Sequence, residues 1–217
     1  MKAHEITCLI LGVFFIILVL SKLTFGRGSL RYRARDALVS AVQKGMLSCG
    51  IGKFDVARAT NVLRRFKVLC DDCGVPVLLA EGTALGAVRD ARLIEYDDDV
   101  DVQVLMKHKQ RFLRCVLPRL LKNDPPFAVT KVWNEENFVS FISEQINLDV
   151  EFIESGQECS CTISGCVPCP VDFILDTVVS VSLDGEMFDS WGPAMLERVY
   201  GSDWRVPKHR FNATSRV

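Results

Sequence analysis

The apolar positions change rhythm several times along the chain. Cys8 to Leu20 (CLILGVFFIILVL) is apolar without interruption, and Ile6 and Leu23 extend it past Lys22. Leu30 to Cys49 reads as a basic helix ended by Gly50 and Gly52. From Phe54 to Cys73, Val62, Phe66, Leu69, Cys70 and Cys73 recur at helical spacing, which predicts an amphipathic helix with the Cys70-x-x-Cys73 pair on its buried face. Pro76 to Ala80 reads as a short buried strand, and Thr83 to Val88 as a helix opened by a tight turn at Gly82-Thr83. Val100, Val102 and Val104 then alternate with Asp99, Asp101 and Gln103, the period of a strand. Lys107 to Lys122 is a further helix that buries Phe112, Cys115, Val116 and Leu120 and bends at Pro118. Phe127 to Trp133, Phe138 to Ile142 and Ile146 to Phe152 read as consecutive antiparallel strands, the first two joined by a turn at Asn134 to Glu136. Ala194 to Tyr200 closes the chain with a short helix.

The chemistry concentrates between Glu81 and Val104, EGTALGAVRDARLIEYDDDVDVQV. On a strand, residues two apart share a face, so Asp99 and Asp101 project together while Val100 and Val102 enter the core. Asp97 joins that face if the strand begins early, and Asp98 faces away. Two adjacent carboxylates repel and call for a cation between them. Oxygen-only ligands suit Mg²⁺ or Mn²⁺, which complete their shells with water and substrate phosphates. An acidic run also fits solvated surface or a calcium loop, but the interleaved valines favour a half-buried strand. Upstream, the free N–H groups at the helix start beside Gly82 and Thr83 would attract a phosphate. Arg89 could reach a phosphate oxygen, or pair with Asp90 or Asp97 on the surface.

The segments GTALGAVRDARLIEYDDDVDV (Gly82 to Val102), LDVEFIE (Leu148 to Glu154) and ERVYGSDWRVPKH (Glu197 to His209) resemble the LicD/fukutin family of phosphotransferases, within the nucleotidyltransferase-fold superfamily. The resemblance implies an α/β (α+β) domain, a nucleotidyltransferase-like mixed β-sheet flanked by helices. It implies metal-dependent transfer of a phospho-substituted group, such as phosphocholine or an alditol phosphate, from a CDP-linked donor to a glycan or glycoprotein acceptor. Carried over residue by residue, Asp99 and Asp101 become the metal pair, Asp149 a third carboxylate on a neighbouring strand, Gly82 and Thr83 the phosphate side, and Arg89 a donor contact. Alternation of Ile146, Leu148, Val150 and Phe152 with Asn147, Asp149 and Glu151 puts Asp149 and Glu151 on one strand face, which also fits an ordinary polar sheet face. Two rivals stand beside this reading: a glycosyltransferase using a nucleotide sugar at a D-x-D motif, and a catalytically silent interaction protein of the same fold.

The whole chain sets bounds. It has 217 residues, of which 26 are basic and 27 acidic, for a net charge of −1 that excludes a general nucleic-acid binder. The organisation expected is a signal-anchor or transmembrane helix over 1–25, with a cleaved signal peptide as the alternative, a juxtamembrane basic helix over 26–53, and a catalytic domain over 54–217 with a Cys-rich loop at 157–170. Lys22, Arg27, Arg31, Arg33 and Arg35 follow the apolar segment, and this charge bias would put the downstream side in the cytoplasm. The resemblance to Golgi members implies instead a single-pass protein with a lumenal C-terminal domain. The sequon Asn212-Ala213-Thr214 agrees with the lumen. Cys159, Cys161, Cys166 and Cys169 form a cluster that fits either structural Zn²⁺ or two small disulfides.

Overall fold

The computed structural model describes residues 54–133, 137–156 and 170–207. The apolar segment at Cys8 to Leu20, the helix at Leu30 to Cys49, the turn at Asn134 to Glu136, the cluster Cys159, Cys161, Cys166 and Cys169, His209 and the Asn212 sequon lie outside the described residues. Among the described residues no helix is long and apolar enough to cross a membrane.

The first helix, α1 (Val56–Asp72), begins where Asp55 accepts a hydrogen bond from the Arg58 backbone N–H at 3.1 Å, an N-cap that satisfies one of the helix's open donors. Its buried stripe of Ala59, Val62, Leu63, Phe66 and Cys70 packs onto the sheet. Strand β1 is reduced to Leu78–Leu79, shorter than the apolar run Pro76 to Ala80. Helix α2 (Glu81–Asp90) follows directly, then β2 (Asp99–Leu105).

The expected helix from Lys107 to Lys122 is a composite, α3: a 3₁₀ turn (Met106–His108), an α-turn (Lys109–Arg111), a π-turn (Phe112–Val116) and a last α-turn (Leu117–Lys122). Pro118 sits in the first positions of that last α-turn, where a missing N–H is tolerated. The widened π-turn precedes it. Phe112 there meets Phe152 edge-on at 5.3 Å and Phe66 at 6.2 Å between ring centroids.

Strands β3 (Ala128–Trp133), β4 (Phe138–Ser143) and β5 (Ile146–Ile153) form an antiparallel meander, as the alternation predicts. Helix α4 (Val171–Asp176) and the hairpin β6 (Val179–Leu183) and β7 (Glu186–Ser190) are not among the elements that the apolar spacing predicts. Helix α5 (Pro193–Tyr200) is the last described element, and Trp204 beyond it is buried in the core.

The seven strands form one mixed sheet in the order β3-β4-β5-β2-β1-β7-β6. Parallel pairing joins β2 to β5 and β1 to β7, and the other contacts are antiparallel. Helices flank the sheet. Arg65 of α1 ties the helix to the rest: its guanidinium donates to Asn123 Oδ1, the Pro125 carbonyl, Ser143 Oγ and Glu144 Oε2, and stacks over Phe127. Cys70 and Cys73 are both buried, as the helical spacing predicts, but their chemistry differs. Cys70 is a free buried thiol, but Cys73 is bonded to Cys115 of the π-turn, 42 residues away. Helical spacing along α1 cannot reveal a partner on another element.

Candidate metal and phosphate site

The parallel β2–β5 pairing decides the geometry of the site. Its register sets Asp99 opposite Asn147, Asp101 opposite Asp149 and Gln103 opposite Glu151. Residues paired across adjacent strands lie on one face. The alternation within each strand therefore adds to the pairing between them, and Asp99, Asp101 and Asp149 converge. Each offers an oxygen within 4.8 Å of the others. Asp97, Asp98 and Asp99 make a second such group, so Asp97 approaches the site although the strand starts only at Asp99. Asp98 is exposed but does not face away as expected: its carboxylate belongs to that second group, and its charge bears on Asp99 and Asp149.

Burial and mutual repulsion act on these carboxyls together. Loss of hydration, then the charges of Asp97, Asp98, Asp149 and Glu81, push the Asp99 carboxyl up to about 8. Asp101 is raised by burial first, then by Asp99, Glu81, Asp149 and Asp97. Asp97 rises to about 6, again mainly through burial and then through Asp98. Asp149 is raised by burial, but a hydrogen bond from Ser140 and the charge of Lys131 pull the other way. Such a set of oxygens, each costly to ionise beside the others, fits a hard divalent cation of the Mg²⁺ or Mn²⁺ type.

Helix α2 brings its N-terminus to this cluster. Its first turn differs from expectation in detail. The helix starts at Glu81, capped by Ala80 with no side-chain hydrogen bond, and the left-handed residue is Glu81 at φ 47°, not Gly82. A non-glycine residue pays about 1–2 kcal/mol for that conformation, a strain that recurs at functional sites. Gly82 matters for another reason: a Cβ there would overlap the Asp97 carboxylate and push it aside. Thr83 is buried, and its Oγ1 accepts a hydrogen bond from the Asp101 backbone N–H at 2.9 Å, while the Ala80 N–H donates to the Asp101 carbonyl at 3.1 Å. The Gly-Thr turn thus fixes the strand that carries Asp101 as well as presenting a helix N-terminus.

The structure leaves Arg89 at the far end of α2. It donates to Asp90 Oδ2 from Nε at 2.9 Å and from Nη2 at 2.7 Å and also bonds Tyr96, so it is not brought to the carboxylates. Sequence reasoning missed Glu81, whose charge bears on both Asp99 and Asp101. Its signal was an acidic residue directly ahead of Gly-Thr. It also missed the support beneath the site: Trp191 Nε1 donates to Gln103 Oε1, and Gln103 Nε2 donates to Glu151 Oε2, both at 2.8 Å.

Residues 74–158, which hold α2, β2 and β5, match the family model of the LicD/FKTN/FKRP nucleotidyltransferase domain. This stretch is a LicD-type domain. The LicD match contains every carboxylate of the cluster. Among solved structures, the chain is similar to the antibiotic-resistance factor ANT(2'')-Ia in a solution structure concerned with substrate-regulated conformation dynamics. The identity is 13%, 73% of this chain and 80% of that chain are covered, and the TM-score is 0.48. It is also similar to the crystal structure of ANT(2'')-Ia in complex with adenylyl-2''-tobramycin, at 16% identity over 46% of this chain and 52% of that chain, with a TM-score of 0.35. No curated protein matches it.

Proposed function

We propose that this protein is a metal-dependent phosphotransferase that moves a phospho-substituted group from a CDP-linked donor to a hydroxyl of a glycan. The observation that carries the reading is the convergence of Asp99, Asp101 and Asp149 within 4.8 Å beside the N-terminus of α2. The three carboxylates would hold Mg²⁺ or Mn²⁺, which supplies neutralisation of the charge on the donor's phosphates. The opening N–H groups of α2, around Gly82 and Thr83, bind phosphate oxygens on the other side. Thr83 keeps β2 in register with that helix, and Gly82 lets Asp97 come close.

The acceptor hydroxyl oxygen forms a new bond to the phosphorus of the transferred group. The bond from that phosphorus to the bridging oxygen breaks, CMP leaves with the electron pair, and the hydroxyl proton passes to a carboxylate of the cluster. Catalysis here is positioning and charge balance, which is what phosphoryl transfer chiefly asks of a protein.

The compartment belongs to the same proposal. The Cys73–Cys115 bond supports an oxidising lumen, against the positive charges that follow the apolar N-terminal run. A Golgi membrane protein with its catalytic domain in the lumen satisfies the disulfide.

The test is a transfer and thermal-shift series on the full chain. CDP-choline, CDP-ribitol and sugar nucleotides are compared with and without Mn²⁺, in the wild type and in Asp149→Asn. Stabilisation by a CDP-linked compound that requires Mn²⁺ and vanishes in the variant supports the reading. Preference for a sugar nucleotide, or equal responses in both proteins, rejects it.

A further inference from the structure

The site gathers at least five acidic side chains, at Glu81, Asp97, Asp99, Asp101 and Asp149, and a divalent cation would offset only two of the charges they carry when ionised. A donor pyrophosphate would add more. Three arginines of the flanking elements are held in other ion pairs: Arg89 with Asp90, Arg92 with Glu95 and Arg65 with Glu144. A cation from the sheet itself would complement the cluster.

The cross-strand register supplies one. Asp101 pairs with Asp149, Asp149 with Ser140, and Ser140 with Lys131. These four residues form a row across β2, β5, β4 and β3 on the face of the carboxylates. Two strand spacings separate Lys131 from Asp149, roughly 10 Å between Cα atoms, a gap their two side chains can close. The charge of Lys131 acts on Asp149, and Lys131 is half-buried.

Lys131 occupies this row only because β3 is irregular. Ala128 pairs with Ile142 and Val129 with Phe141, but the next pair is Lys131 with Ser140, so Thr130 is an extra residue. In an unbroken ladder Thr130 would oppose Ser140. Lys131 would then oppose Val139 and point to the other face of the sheet. The bulge reverses the phase and turns the lysine toward the carboxylates, while Val129 and Val132, three apart, both stay on the opposite face. Thr130 Oγ1 donates to the Ser140 carbonyl at 3.2 Å and holds the bulge. Bulges recur beside active sites because they re-aim a side chain in this way.

We propose that Lys131 is a substrate-binding residue of this transferase: its ammonium contacts phosphate oxygens of the donor on the side of the carboxylates away from the α2 N-terminus. The phosphates then lie along the row, with helix N–H groups at one end and the lysine at the other. The inference rests on the metal-site reading above. An ordinary alternative exists, since a lysine on an edge strand also discourages strand-to-strand aggregation.

Two titrations of the full chain separate these roles, first with Mn²⁺ alone and then with CDP at saturating Mn²⁺. In Lys131→Met, Mn²⁺ alone binds as tightly as in the wild type or more tightly, because a repelling cation has gone. CDP binds about tenfold more weakly, the loss of a charge-assisted contact. Lys131→Arg recovers most of the CDP affinity. The opposite signs for metal and nucleotide are what a merely structural lysine would not produce, and retained Mn²⁺ binding shows that the variant is folded. Unchanged CDP affinity in Lys131→Met overturns the proposal, as does a parallel fall in Mn²⁺ and CDP binding that Arg fails to rescue. Asp101→Asn reports separately on the metal site. If that variant keeps wild-type Mn²⁺ binding, the metal reading fails and takes this inference with it.

Discussion

Replacing Asp101 by Asn should stabilise the metal-free protein while removing its response to metal. Asp101 is flanked by Asp99 and Asp149 with oxygens within 4.8 Å; at an effective dielectric constant of about 20, two charges at that separation repel by roughly 3.5 kcal/mol. Asn removes two of the three repulsions in the trio. Proton uptake already relieves part of that energy, so a net gain of about 2–3 kcal/mol at pH 8 is the expectation. For a domain of this size the gain corresponds to an increase in Tm of about 5–10 °C. The sign with pH follows from the raised carboxyls. Asp97 moves from 3.8 to about 6 and Asp99 from 3.8 to about 8, so the folded state holds more protons than the unfolded one over that range. The stability of the metal-free wild type is therefore fullest below pH 4 and falls as pH rises toward 8. Thermal melts of the full chain in chelator, from pH 5 to pH 8, should show a steep decline for the wild type and a shallower one for Asp101→Asn. Adding Mn²⁺ at pH 8 should raise the Tm of the wild type only. A variant no more stable than the wild type in chelator, and equally stabilised by Mn²⁺, would mean that protein donors already satisfy these oxygens, and the cation site would be refuted.

Two further outcomes test the framework of the site. Gly82→Ala places a methyl against the Asp97 carboxylate, so transfer should fall at least about tenfold while the Tm changes little; activity and melting measured on the same sample check this. The Cys73–Cys115 bond closes a loop of 42 residues, for which chain entropy gives about 4 kcal/mol. Reductant should then lower the Tm of the wild type by more than that of a Cys73→Ser/Cys115→Ser variant, which is already less stable.

Periodicity alone put Asp99 with Asp101 on one strand face and Asp149 with Glu151 on another, because side-chain direction in an extended chain depends only on the residue's own strand. It also located α1 and the β3–β5 meander to within a few residues, since apolar spacing and turn residues are local signals. Family likeness proposed that the two acidic strands meet. Their meeting in parallel, with Asp149 opposite Asp101, is a non-local choice that no window of sequence contains. The same holds for Glu81, which became part of the site through a backbone turn, and for Cys73, whose partner lies on another helix. The hairpin β6–β7 alternates exposed and buried residues over only 5 residues per strand, too short a run to stand out from the loops around it. Lys131 makes the division plainest: its letter is in the sequence, but a single extra residue in the ladder decides which side of the sheet it serves. That choice depends on the pairing energy of two strands and not on either strand alone.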